Sequence, residues 1–254
     1  MGILYLIIAL LATTLGTLAG LGGGVIIKPV LDALGDYDVF VIGVLSSATV
    51  CSMALVSTTR RIIGGIRFDK ILVVLAVGAV LGGFAGKQAF EVSMDSIAPD
   101  RLTSIQAVLI IFLLQFALFK NKLPRWRVES TAVVLAAGLV LGAFSAFLGI
   151  GGGPINVAVL CMLFSMDIKE AAAGSIFIIL FSQLSKLAFI ALTTGFGTYD
   201  YGILLYMIPA GVAGGLIGPV LRRKLSHEAI DVIFVVIVAA IVLLNVFNII
   251  KVNI

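Results

Sequence analysis

Charge is scarce in this chain: Asp, Glu, Lys and Arg make up 12% of 254 residues, about half of what a water-soluble domain carries. A soluble globule is thereby excluded, because too little polar surface is present to cover one. Cysteine is nearly absent, and Cys51 and Cys161 both fall inside apolar runs. They read as packing residues and exclude a disulfide framework. The single histidine, His227, follows Arg222, Arg223 and Lys224 with no cysteine or carboxylate cluster around it, so no metal site and no cofactor are expected. Strict apolar–polar alternation is missing too. The apolar runs are continuous and about twenty residues long, which argues for membrane-spanning helices against a β-barrel. Asp32, Asp36, Asp38, Asp69, Asp167 and Asp200 all stand near segment ends, leaving no carboxylate deep in a span for a proton relay. Without a nucleophile–base pair or a metal set at membrane depth, an enzyme is not expected.

What is present is apolar: 61% hydrophobic residues and a mean hydropathy of +1.23. The net charge of +4 reads as the basic bias of short loops on one side of a membrane, not as a nucleic-acid surface.

A glycine-rich stretch occurs twice. Gly20-Leu-Gly22-Gly23-Gly24 and Gly149-Ile-Gly151-Gly152-Gly153 superpose at an offset of 129 positions, which also aligns Asp38 with Asp167 and Ser46 with Ser175. Two copies of one unit, each interrupted at the same place, are expected: 1–122 as a first transmembrane repeat and 123–254 as a second. The expected full spans are about 3–19, 39–59, 71–89 and 102–119, then 128–148, 170–194, 202–221 and 229–250. Short helices follow each break at about 25–35 and 154–166. No basic segment precedes residues 3–19, so these read as a first span and not as a cleaved signal. Gly82 and Gly86 form a small-xxx-small face for close helix packing, and Trp126 reads as an interfacial anchor in the linker 120–127.

Loop charge decides the topology. With short helices that do not cross, nine basic residues face six. With short helices that cross, one side holds Arg60, Arg61, Arg67, Lys70, Lys120, Lys122, Arg125, Arg127, Lys169, Arg222, Arg223 and Lys224, and the other only Lys87, Arg101 and Lys251. Twelve against three is a strong positive-inside signal. The expected fold is therefore all-α: a polytopic transmembrane bundle of two inverted repeats, each with four full spans and one short broken helix. Both termini are then outside the cytoplasm.

Chemistry is expected at the breaks. Consecutive glycines can turn N–H groups to one point, and the helix start behind them adds partial positive charge. Pro154 suits a first helical position. Lys28 and Lys186 are basic residues inside apolar segments, where a lysine costs a few kcal/mol unless it has a partner or a purpose. The expected substrate-binding set is Gly22, Gly23, Gly24, Lys28, Ser46, Ser47, Gly151, Gly152, Gly153, Asn156, Ser175, Gln183 and Lys186. It would take a small anion. Asp38 and Asp167, each directly before a full span, read as helix caps.

At the doubled glycine motif, with Pro29, Pro154 and Gly174-Ser175, the chain resembles the TauE/SafE family of sulfite exporters over essentially its whole length. Val25 stands where Pro154 does, and Ser46-Ser47 where Gly174-Ser175 might be expected. The resemblance implies movement of sulfite, a sulfonate, sulfoacetate or a related carboxylate across a prokaryotic inner membrane. A channel on the same scaffold, and a carrier of small carboxylates, are the alternatives.

Overall fold

The structure, a computed structural model, describes residues 2–65, 68–118, 125–193, 195–197 and 200–253. The boundary expected between the repeats, and Arg67, Lys120 and Lys122 in the charge count, lie outside the described residues.

Ten helices and no strand are found among them. The first five are α1 (Gly2–Ala19), α2 (Gly24–Leu34), α3 (Val39–Ile63), α4 (Lys70–Ser96) and α5 (Pro99–Leu118). The second five are α6 (Thr131–Leu148), α7 (Gly153–Leu163), α8 (Ile168–Leu192), α9 (Leu204–Lys224) and α10 (His227–Asn253). Eight of the ten are long and apolar enough to cross a membrane. The other two, α2 and α7, have 11 residues each, about half the hydrocarbon thickness.

Local chemistry sets the ends of several helices. Asp38 Oδ1 accepts from the N–H groups of Phe40 and Val41, at 2.9 and 3.0 Å. Asp167 Oδ1 does the same for Lys169 and Glu170, at 2.7 and 3.0 Å. Both therefore cap the helices they precede, as expected. Helices also run past the expected spans: α4 continues to Ser96 and α9 to Lys224. Much of the loop expected at 91–101 is thus helical, and the basic triplet Arg222-Arg223-Lys224 is the last turn of α9. Hydropathy marks where lipid ends, whereas backbone hydrogen bonding continues into water, so the sequence reading stopped short.

Small residues bring the helices together. Gly78, Gly82 and Gly86 of α4 lie on the carbonyls of Leu135, Leu139 and Ala143 of α6, with no space left for a side chain. Gly214 and Gly218 of α9 meet Thr13 and Thr17 of α1 in the same way, while Gly211 and Gly215 face Thr49 and Met53 of α3. Thr17 seals one of these contacts, its Oγ1 donating to the Gly214 carbonyl at 2.9 Å. The glycine-rich third full span of each half therefore packs on the first full span of the other half. Helices α3 and α8 pack together and are the most buried of the spanning candidates. Two large apolar cores form around them, beside a small one of Val39, Phe90 and Leu102. One includes Leu21, Leu75, Ile150, Leu160 and Phe234, and the other Tyr5, Ile27, Leu45, Met53 and Ile179. Cys161 and Cys51 are packed within the first and second core respectively, both as free thiols.

Candidate functional site

The two glycine breaks touch each other. Gly20 and Gly22 in the first, and Gly149, Gly151 and Gly152 in the second, hold positive φ, between 65° and 83°, a region nearly closed to residues with a Cβ. The chain can thus leave one helix and start the next within four residues. Gly153 is pressed against the carbonyl of Leu21, and a Cβ on Gly24 would stand 2.6 Å from the carbonyl oxygen of Ile150. Under the offset of 129, Leu21 answers to Ile150 and Gly24 to Gly153, so these are one contact made twice. Two more pairs behave alike: Gly20 lies on Ala172 as Gly149 lies on Gly43, and Gly22 on Ile179 as Gly151 on Val50. Each helix start is thus covered by backbone of the opposite break.

Open space lies beside this crossing. A small cavity is lined by Lys28 of α2, Gly43 of α3, Lys87 of α4, Gln106 of α5, Gly149 and Lys186 of α8, with apolar walls that include Phe40, Phe90 and Phe147. All three lysines are buried, none more than 4% exposed. From the place where a Cβ of Gly149 would stand, Lys186 Nζ is 3.5 Å away and Lys28 Cδ 3.7 Å. Lys28 Nζ pairs with Asp32 at 2.8 Å, and Lys87 Nζ with Glu91 at 3.1 Å. Lys87 also sits over the rings of Phe40 and Phe90, 4.6 and 4.9 Å from their centroids. Lys186 Nζ donates to the Gly43 carbonyl at 3.1 Å. Gln106 Nε2 donates to the Phe147 carbonyl at 2.7 Å, which fixes its amide orientation. Its Oε1 is left without a hydrogen-bond partner among the described residues.

A second pocket, opening to the surface, is lined by Ser57, Arg60, Arg61, Lys169, Glu170, Arg222 and Arg223, among others. Its walls are the counterparts of the first. Ser57 answers to Lys186, Arg61 to Ile190, Lys169 to Phe40 and Ala173 to Val44 at the offset of 129. With the three-residue insertion before α9, Pro219 answers to Lys87 and Arg222 to Phe90. Arg61 stacks over Phe68 at 5.2 Å, and Arg222 Nη1 donates to the Thr17 carbonyl at 3.1 Å.

The expected site residues fall into three groups. Lys28 and Lys186 join in the cavity. Asn156 and Gln183 belong to a separate polar cluster: Gln183 Nε2 donates to Ser145 Oγ at 2.8 Å, and the Ser145 and Ser182 hydroxyls hydrogen-bond to each other at 2.9 Å. Both side-chain polar atoms of Asn156, and Gln183 Oε1, lack partners among the described residues. The Asn156 Oδ1 lies 3.3 Å from where a Gly152 Cβ would stand. At the offset of 129 the matching positions are Gly16, Gly23, Ile27, Met53 and Ala54, so the cluster has no counterpart there. The rest secure the crossing or their own helix. Ser175 Oγ donates to the Gly20 carbonyl at 2.6 Å, Ser47 Oγ to the Gly43 carbonyl at 2.6 Å, and Ser46 Oγ stands against Gly24 with no partner among the described residues. Gly23 packs on Thr13.

One sequence expectation needs correction. Lys87, counted among the loop charges, is wholly buried in α4, because that helix runs a further turn and more beyond it. Asp32 stands near the end of α2, as expected, and its side chain is 7% exposed and paired with Lys28. Sequence reasoning missed Lys87, Gly43 and Gln106. The Lys28–Asp32 and Lys87–Glu91 spacing of four, which sets both charges on one helix face, was the available signal.

Residues 5–244 match the family described as Sulfite exporter TauE/SafE. The chain is also similar to a "Probable membrane transporter protein YunE" of Bacillus subtilis (strain 168), 24% identical over 256 residues, covering 91% of this chain and 92% of that one. With that match spanning nearly its whole length, this polytopic helical membrane protein belongs to the sulfite exporter TauE/SafE family.

Proposed function

We propose that the protein is a secondary transporter for a small anion, sulfite, a sulfonate or another sulfur oxyanion, bound beside the crossed glycine breaks. The observation that carries this reading is the convergence of Lys28, Lys87 and Lys186 on one buried cavity against Gly149. Three ammonium groups at membrane depth cost several kcal/mol unless something negative meets them, and Lys186 meets only a carbonyl among the described residues. The family match and the name of the Bacillus relative agree with transport. The remaining expected residues stay in the proposal as the wall behind the anion: Gly22, Gly23, Gly24, Gly151, Gly152 and Gly153 as the crossing, with Ser46, Ser47, Ser175, Asn156 and Gln183 around it.

The reciprocal contacts of the two breaks support two repeats, 1–122 and 123–254, related by a pseudo-two-fold. Lys169, Arg222 and Arg223 share a pocket with Arg60 and Arg61, which supports the inverted arrangement, since a parallel one puts them on opposite faces. Under the positive-inside rule that basic end faces the cytoplasm of a prokaryotic inner membrane, and both termini lie outside. No described residue lines both pockets, and the crossing stands between their walls. This favours alternating access over the channel reading.

Counterflow into proteoliposomes tests the proposal. Vesicles preloaded with unlabelled sulfite should accumulate labelled sulfite transiently, and Lys186→Met should remove the effect. Flux that never overshoots would favour a channel, and uptake of acetate but not sulfite the carboxylate alternative.

A further inference from the structure

We infer that the lysine cavity is built for monoanions and rejects dianions, a conclusion that rests on the anion-transport reading above. It follows from the charge of the cavity wall. Lys28, Lys87 and Lys186 bring three positive charges, and each of the first two carries its own carboxylate one helical turn further on, Asp32 at 2.8 Å and Glu91 at 3.1 Å. Lys186 has only the Gly43 carbonyl among the described residues. No other ionisable side chain lines the cavity among the described residues. Three positive less two negative charges leave one. A single negative charge brings the cavity to neutrality, whereas a second would be buried without a counter-ion, the costliest arrangement available in a low-dielectric interior.

Both carboxylates are placed so that these two pairings stay fixed. Each belongs to the same helix as its lysine, at a spacing of four, so rearranging the helices during transport does not change the pairing. The substrate class is a singly charged oxyanion: hydrogensulfite, a simple alkanesulfonate or a monocarboxylate. Sulfate, sulfoacetate and dicarboxylates fall outside it. Methanesulfonate and sulfoacetate make a close comparison, since they share the sulfonate and differ by one carboxylate.

The test is competition against labelled sulfite uptake in proteoliposomes holding the full-length protein, near neutral pH, with methanesulfonate, acetate, sulfate, sulfoacetate and succinate as competitors. Monoanions should compete at concentrations about 100-fold lower than dianions of the same chemistry. Glu91→Gln raises the wall charge to two and should move the ratio toward dianions by about tenfold or more. Its carboxylate is 23% exposed, so the loss is tolerated better than at buried Asp32, where Asp32→Asn serves as the second variant. Equal competition by methanesulfonate and sulfoacetate, or a ratio that Glu91→Gln and Asp32→Asn leave unmoved, would overturn the monoanion inference while leaving anion transport standing. Saturable uptake that no anion inhibits would remove the anion reading, and this inference with it.

Discussion

Lys186 of α8 donates its Nζ proton to the carbonyl oxygen of Gly43 on α3, at 3.1 Å, so that a lysine from the second half of the chain is held by the backbone of the first. The same carbonyl also accepts from Ser47 Oγ at 2.6 Å. It therefore keeps a partner when the lysine is removed.

That redundancy separates function from folding. Lys186→Met should reduce anion uptake in proteoliposomes by tenfold or more, roughly the worth of one charge-assisted hydrogen bond to a ligand. The apparent melting temperature in detergent should be unchanged or slightly raised, because no buried group loses its only partner. Uptake at the wild-type rate would remove Lys186 from the site.

The pair Lys28–Asp32 behaves oppositely. Both side chains are almost fully enclosed, and removing one partner of a buried pair costs about 3–5 kcal/mol. Asp32→Ala should therefore lower the melting temperature sharply. The double variant Lys28→Leu, Asp32→Leu should recover most of that loss yet remain inactive in transport. Full stability of Asp32→Ala would mean that water reaches Lys28 and that the pair is not buried in the membrane.

Close approach at the crossing has its own signature. A methyl at Gly153 would run into the Leu21 backbone, whereas one at Gly149 meets nothing nearer than 3.5 Å. Gly153→Ala should cost about 1–3 kcal/mol or more through overpacking. Gly149→Ala carries only the strain of its positive φ, about 1–2 kcal/mol. Thermal unfolding of the two in detergent should rank them in that order, and the reverse order would mean that the breaks do not touch.

Much of this architecture is legible in the sequence because it is local or repeated. Asp38 and Asp167 advertise helix starts by residue type, and the doubled glycine triplet advertises matching breaks. Lys186 stands out because no end of its span is near. Lys87 was hidden by its nearness to an expected loop, which turned out to be helix. Gly43 was hidden for a different reason: a glycine inside a helix says nothing about which distant side chain fills the space it leaves. Nor could spacing show that the Leu21 and Ile150 carbonyls would cover the helix starts where an anion cradle was expected, since that depends on how the two halves meet.

The orientation proposed from the arginine-rich pocket can be read by labelling. Arg60, Arg61, Lys169, Arg222 and Arg223 gather at one end of the bundle, while the α4–α5 corner carries Asp95 and Asp100 against Arg101. If the basic end is cytoplasmic, a cysteine at exposed Asp95 should react with a membrane-impermeant maleimide on intact cells. One at exposed Lys224 should react only after permeabilisation. The native thiols will not obscure the result: Cys51 and Cys161 are 9% and 4% exposed, and burial holds the Cys51 side chain out of reach of a bulky reagent. Labelling of Lys224→Cys, but not Asp95→Cys, from outside would invert the orientation and place the arginine pocket on the outer face. Substrate would then enter from outside through arginines and meet the lysine cavity from the cytoplasm, reversing which pocket opens to which compartment in the alternating-access scheme.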